Sequence, residues 1–330
     1  MRHTRMIARG AALVSALSCA GYVAAQTTAS QAYPARPIRL IVPYAPGGVV
    51  DYVGRVTALR VAESVGQTVV IDNRPGAGGI LGVDLAAKAA PDGYTLVIMD
   101  PAIVINPVLQ ASVPYDPLKD LRTVSVLSSS PLVLAVHPAL PVKDIAQLAA
   151  HARANAGKLN FASAGVGTTP HMAGELFKQR IGAALTHVPY KGSGPAMTDL
   201  VGGQVQMAFT SITAALPVIK DNRLRALATT GLKRSAALPD LPTVAEAGHA
   251  GFFVDLWLAV FTPTQTPAAA VARLNSEIRK AIELPVLRAE YAKVGVEPRG
   301  ASAEEGAQFV RAEHEKWAKV VREANLKGAN

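Results

Sequence analysis

From Tyr33 onward, short apolar runs alternate with stretches in which apolar residues recur every three to four positions. Residues 38–42 are apolar with almost no polar alternation, the pattern of a parallel strand covered on both faces. Val49, Val53, Val56 and Ala62 then fall at helix spacing. Residues 68–71 predict a second strand, 80–90 a helix, and 94–99 a third strand after the turn Pro91-Asp92-Gly93. Such a β-α-β-α-β run predicts a right-handed, parallel α/β unit.

A second alternation follows. Strand-like runs at 124–127 and 132–136 flank Ser128-Ser129-Ser130-Pro131. Helices are predicted over 144–155, 170–180, 195–201 and 214–220, and strands over 159–162, 185–188, 205–209 and 224–228. Residues 256–261 form a further apolar run. The tail predicts helices over 268–282, over 285–293, and one ending near Asn325. Ser302-Ala303-Glu304-Glu305 is a capping box for that last helix, and Thr243-Val244-Ala245-Glu246 is another for a shorter one. Two α/β units with a returning tail predict two discontinuous lobes. Residues 26–130 with 257–330 form one and 131–256 the other, with crossings near 125–136 and 256–263.

The N-terminus reads differently. Arg2, Arg5 and Arg9 precede an apolar, small-residue stretch to Ala25, with Val23-Ala24-Ala25 before Gln26. Residues 1–25 are therefore expected to be a secretory signal peptide, its apolar stretch from Ala11 to Ala25 too short to span a bilayer. Cys19 follows Ala16-Leu17-Ser18, a poor lead-in for lipidation, and it is the only cysteine. Residues 26–330 thus exclude disulfides, cysteine nucleophiles and thiolate metal sites. The formal charge of +9 includes the three leader arginines, so it falls to +6 without them. These charges are interspersed and only 5% of residues are aromatic, which speaks against nucleic acid; the modest positive balance reads either as an ordinary solvated surface or as suited to a small anion. The histidines form neither an HExxH motif nor an i,i+4 pair, and no metal or cofactor is expected.

Candidate chemistry gathers at glycine-rich turns between strand and helix, where exposed backbone N–H groups and the positive helix end favour carboxylate or phosphate. The first is Tyr44-Ala45-Pro46-Gly47-Gly48, with Asp51 in the helical turn that follows. The second is Gly165-Val166-Gly167-Thr168-Thr169, with Pro170 a good helix start and His171 one position on. His171 reads either as a ligand donor or as a tie between the loop and its neighbours. A third turn, Asn73 to Gly79, misses the dinucleotide fingerprint because Leu81 stands where its last glycine belongs. It is read as structural, near the cleft rim. Tyr190-Lys191 and Thr210-Ser211 each follow a strand and offer a cation or hydroxyl donors. Asp100 places a carboxylate at the C-terminal end of a buried strand, where open α/β sheets bind ligands. It pairs either with a helix terminus or with the ligand.

Taken in order, these segments closely resemble the Bug/TctC family, the solute-binding proteins of tripartite tricarboxylate transporters. The resemblance rests on YPARPIRLIVPYAPGGVVD, IDNRPGAGGILG, PDGYTL with INPVL, and FASAGVGTTPHMAGELF. It continues through VPYKGSGPAMTDLVGGQVQ, LRALATTGLKRSAALPDLPTVAEAG and the stretch from Trp257 to Pro267. It implies a type II periplasmic-binding-protein fold, two Rossmann-like lobes joined by two crossover strands and closing on a small carboxylate. It also implies periplasmic location, delivery to membrane transporter subunits, no catalysis and a monomer. It implies that the loops carrying Tyr44, Ala45, Gly47, Gly48 and Asp51, and Gly165, Gly167, Thr168, Thr169 and His171, line the cleft, with Tyr190, Lys191, Thr210 and Ser211 nearby; Asp100 joins these candidates from its place at the strand end. Asp100 departs from the small or hydroxyl residue of many relatives, and Gln206 from a common acidic one. Two rival roles remain: a carboxylate-binding partner of a sensor kinase, and an enzyme acting on a small anion.

Overall fold

The computed structural model describes residues 33–327, so the signal-peptide assignment to residues 1–25 lies outside the described residues. Three parallel strands open the fold: β1 (Ile38–Val42) lies between β2 (Val69–Asn73) and β3 (Thr95–Met99). Helices α1 (Val49–Val65), α2 (Ile80–Ala87) and α3 (Ala102–Leu109) follow these strands in turn. A long strand, β4 (Leu121–Val136), then runs out of this group. Next come α4 (Ile145–Ala154), β5 (Asn160–Ser163), α5 (Thr169–Ile181), β6 (Thr186–Pro189), α6 (Ser193–Val201), β7 (Met207–Ser211), α7 (Ile212–Lys220) and β8 (Arg225–Thr229). The chain returns along β9 (Asp255–Pro263) and ends in α8 (Ala268–Glu283), α9 (Pro285–Lys293), the short β10 (Glu297–Pro298) and α10 (Ala303–Glu323).

The strand order is β2-β1-β3-β9-β4-β7-β5-β6, with β8 and β10 also paired to β4. β4 changes partners halfway: residues 121–131 pair antiparallel with β9, whereas residues 132–136 pair with β7 and β8. Buried Thr230 fastens both passages of the chain at this point. Its hydroxyl accepts from the Leu132 N–H (2.9 Å) and donates to the Val254 carbonyl (2.6 Å). Its N–H donates to Leu132 and its carbonyl accepts from Val254.

Three expectations change. The two runs around Ser128-Ser129-Ser130-Pro131 are one sixteen-residue strand, because Ser128 and Ser129 still pair with both β9 and β10. Pro131 sits at the last position facing β9, opposite Asp255, where the strand changes partners. Helix α3 was missed altogether: Ala-Ile-Val-Ile-Asn-Pro-Val-Leu is apolar nearly all round, so it has no amphipathic period to read. Thr243 and Glu246 do make both reciprocal capping bonds, at 3.1 and 3.0 Å, but residues 244–248 form turns rather than a helix. The Ser302–Glu305 box forms as expected at the start of α10.

Side chains of α5 and β5 pack without room to spare. A Cβ added at Gly174 would overlap the Phe161 ring. The Gly174→Ala variant gains about 1 kcal/mol in helix propensity but overpacks the core at a cost of about 1–3 kcal/mol. A lowered urea midpoint with an unchanged m-value is the expected result; an unchanged or raised midpoint contradicts this packing.

Candidate ligand-binding site

The glycine turns of the first and second halves of the chain meet backbone to backbone. The Ala45 N–H donates to the Lys191 carbonyl at 3.0 Å. A Cβ added at Gly47 would touch the Gly194 Cα at 3.6 Å, and one at Gly194 would lie 2.5 Å from the Pro46 carbonyl oxygen. Gly78 lies against the second turn, where an added Cβ would overlap the Val166 carbonyl oxygen. A Cβ at Gly165 would stand 3.2 Å from the Gly78 Cα. Gly78 (φ +62°) and Gly165 (φ +133°) also have backbone angles that L side chains rarely adopt. The third turn therefore meets the second directly, which is more than the rim position read from its sequence.

Most candidate side chains are already engaged within the protein. The Asp51 carboxylate accepts from Arg55 Nε and Asn73 Nδ2, both at 3.0 Å, and weakly from the Gly47 N–H at 3.4 Å. Burial works against its charge, but these donors prevail and hold its pKa below the usual value. It thus shapes the first turn. The Tyr44 hydroxyl donates to Asp100 Oδ1 (3.0 Å), which also accepts from the Ala102 N–H (2.9 Å) at the start of α3. Burial pushes the Asp100 carboxyl up to about 6 against these two stabilising bonds, and pushes the Tyr44 hydroxyl well above its ordinary value. Asp100 therefore meets the helix terminus, one of the two pairings open to it from sequence.

In the second half, the Tyr190 hydroxyl donates to Asp199 (2.6 Å), and the Lys191 side chain is exposed while its carbonyl receives Ala45. Ser211 caps α7 by accepting from the Ala214 N–H at 3.3 Å. Thr168 donates to the Gly165 carbonyl at 2.7 Å. The Gly165 N–H donates to Ser163 Oγ and the Gly167 N–H to His171 Nδ1, both at 3.1 Å. Thr169 and Thr210 stand apart: both hydroxyls are buried and neither has a partner. Unspent backbone donors remain in the first turns of α1 and α5, where helix geometry leaves the leading N–H groups without intrahelical acceptors.

Sequence reading missed Asn106, which is fully buried in α3 and donates from Nδ2 to the Gly78 carbonyl at 3.1 Å. Its Oδ1 stands where a Cβ of Gly167 would be, so it bears on both turns. The only sequence signal was a polar residue in an otherwise apolar run. Ser193 was missed too: it lies beside Gly48, 3.6 Å from where a Cβ would sit.

The described residues share the fold of periplasmic binding proteins, α/β molecules of two lobes, as the sequence led us to expect. Periplasmic binding protein BugD matches with a TM-score of 0.87 at 32% identity, covering 89% of this chain and 99% of that one. Rpa4515 of R. palustris, solved with adipate, matches with a TM-score of 0.86 at 36% identity, covering 89% and 98%. MatC of Rhodopseudomonas palustris, solved with malate, matches at 0.84 and 32%, covering 88% and 100%. The TctC family model, the tripartite tricarboxylate transporter family receptor, matches residues 53–326, and the chain belongs to that family.

Two predictions follow from this geometry. Gly78→Ala, which drives a methyl into the Val166 carbonyl, is expected to expand the molecule in small-angle scattering. The control Gly157→Ala has a similar positive φ of +75° but no neighbour within 4 Å, and should leave the dimensions unchanged. Equal expansion by both contradicts a role for the contact. Asp100→Asn keeps an acceptor for Tyr44 and Ala102 while removing a desolvated charge. Because burial raises the native pKa to about 6, above the unfolded carboxyl's ordinary value, wild type loses stability as pH rises from about 4 to about 6. The variant should thus melt higher than wild type at pH 7.5, with the gap shrinking towards pH 4. A gap independent of pH contradicts it.

Proposed function

We propose that the protein is an exported receptor which captures a small organic carboxylate between its two lobes and presents it to a tripartite tricarboxylate-type membrane transporter. The reading takes residues 1–25 as the export signal. It assigns residues 26–130 and 257–330 to one lobe and 131–256 to the other, and takes the working protein as a monomer. The observation that carries it is the meeting of glycine-rich strand–helix turns: the turn before α1 meets the one before α6 through Ala45 and Lys191, and Gly78 lies against the turn before α5. Turns of this kind open helices at their positive ends, where leading N–H groups suit a carboxylate. The buried, unpartnered hydroxyls of Thr169 and Thr210 add two donors of fixed position. That two neighbours of this fold were solved with adipate and malate supports the same ligand class.

Closure needs no chemistry in this reading. A ligand that touches both lobes favours the closed population by the contacts it gains only there. Discrimination among carboxylates falls to the few side chains whose hydrogen-bonding capacity is not already used.

A thermal-shift screen of residues 26–330 against dicarboxylates, tricarboxylates, acidic amino acids and aromatic acids tests the proposal. Ligand at about 100 times Kd should stabilise by roughly 2.7 kcal/mol. A shift with at least one carboxylate is expected. Silence from every carboxylate, together with a clear shift from sugars or cations, overturns the reading.

A further inference from the structure

Behind the second glycine turn lies a group of aromatic rings that the proposed function leaves without a role. The rings of His171, on α5, and His187, on β6, stack with centroids 4.0 Å apart, and His187 stacks in turn on Phe161 at 4.9 Å. Each histidine reaches a different part of the turn. The Gly167 N–H donates to His171 Nδ1 at 3.1 Å, so that nitrogen carries no proton, and the ring is neutral with its proton on Nε2. His187 Nε2 lies 2.6 Å from Ser163 Oγ, and that oxygen accepts the Gly165 N–H at 3.1 Å.

We propose that His171 and His187 are positioning residues: the stacked, uncharged pair holds the Gly165–Thr168 turn in its anion-receiving shape without itself contacting the ligand. The inference rests on the carboxylate reading only for what the turn receives. Its structural content stands on the two hydrogen bonds and the stack. A proton on His171 Nδ1 would set one donor against another at Gly167, so the turn and a cationic ring are mutually exclusive. Two cationic rings 4.0 Å apart would also repel each other in a buried setting.

The charged surroundings agree. Lys178 on α5 acts electrostatically on both rings, and Glu175, its ion-pair partner at 2.7 Å, lies on the same helix. Burial lowers His171 to about 3, helped by His187 and Lys178, and lowers His187 to about 4, helped by Lys178. The rings therefore stay neutral across the range in which an ordinary histidine titrates, near 6.5. The turn can then draw an anion with backbone dipoles whose strength does not vary with ambient pH, which a histidinium contact could not do.

The test separates positioning from direct contact. Nitrogen-15 imidazole spectra of full mature protein should show His171 with a bare Nδ1 and a protonated Nε2, unchanged from pH 8 to pH 5. His171→Leu should speed exchange of the Gly167 amide by about fivefold or more, the loss of one buried hydrogen bond. His171→Asn, whose Oδ1 replaces Nδ1 as acceptor, should restore protection, and His187→Gln should do the same for Gly165 where His187→Leu does not. Affinity for adipate or malate should follow that pattern, falling in the leucine variants and returning in the amide variants. If His171→Leu does not fold, the spectra of wild type and His171→Asn still decide. A ring titrating near 6.5 with affinity rising on acidification overturns the proposal, as does leucine-variant affinity equal to wild type. Binding of neither acid by wild type, with both spectroscopic results in place, still supports positioning, and the wider carboxylate screen alone decides the ligand class.

Discussion

Everything at the seam depends on the absence of side chains where two backbones meet. Gly78 lies against the Val166 carbonyl, Gly194 against the Pro46 carbonyl, and Ala45 donates to Lys191 across the same junction. A single methyl at Gly78 would occupy the space of that carbonyl oxygen. Contact of this kind is close and largely polar, and it contributes little apolar burial. By the usual coefficient of about 25 cal/mol per Å² of apolar area, glycine edges supply little hydrophobic stabilisation. The two halves can therefore meet in one register without the strong adhesion that an apolar face would give.

The same constraint sets the electrostatics. Where the backbones meet, the polar groups are mostly backbone N–H and C=O groups and helix ends, joined by the side chains of Asn106 and Ser193. The charged residues nearby are turned to internal tasks: Asp51 to Asn73 and Arg55, Asp199 to Tyr190, and Asp100 to Tyr44 and the first turn of α3. Lys191, the cation that the sequence suggested, is joined to this junction by its carbonyl, and its side chain is exposed. An anion in this environment would meet oriented dipoles, which need no reorganisation and no counter-charge.

Much of this was legible in the sequence, and the gaps have physical reasons. The strand–glycine–helix turns could be read because buried parallel strands have no polar alternation and glycine is required where φ is positive. Helix α3 was hidden because an element apolar on every side carries no period, and Asn106 was hidden with it. The continuity of β4 was masked by three serines and a proline. A strand that changes partners midway can accept Pro131 at the switch, and no local pattern announces that. Beyond the local capping pairs Ser302–Glu305 and Thr243–Glu246, sequence did not supply partner assignment. Sequence left Asp100 and His171 each with two possible partners, and the internal hydrogen bonds of Asp51, Asp100, Tyr190 and His171 emerge only from the structure.

Partner assignment also narrows where selectivity resides. A side chain that has used its donors and acceptors internally can shape a pocket but cannot distinguish two ligands by hydrogen bonding, because either ligand would have to break an existing bond at comparable cost. The buried hydroxyls of Thr169 and Thr210 are under no such restriction, and a buried hydroxyl without a partner carries a penalty that a matching ligand atom would remove. Thr169 opens α5 directly after the second glycine turn, whereas Thr210 lies in β7, next to the cap of α7. They come from different strand–helix junctions, so one ligand reaching both must have acceptors at a definite separation. On the proposed reading, the glycine turns would accept the carboxylate common to the class, and this separation would sort its members.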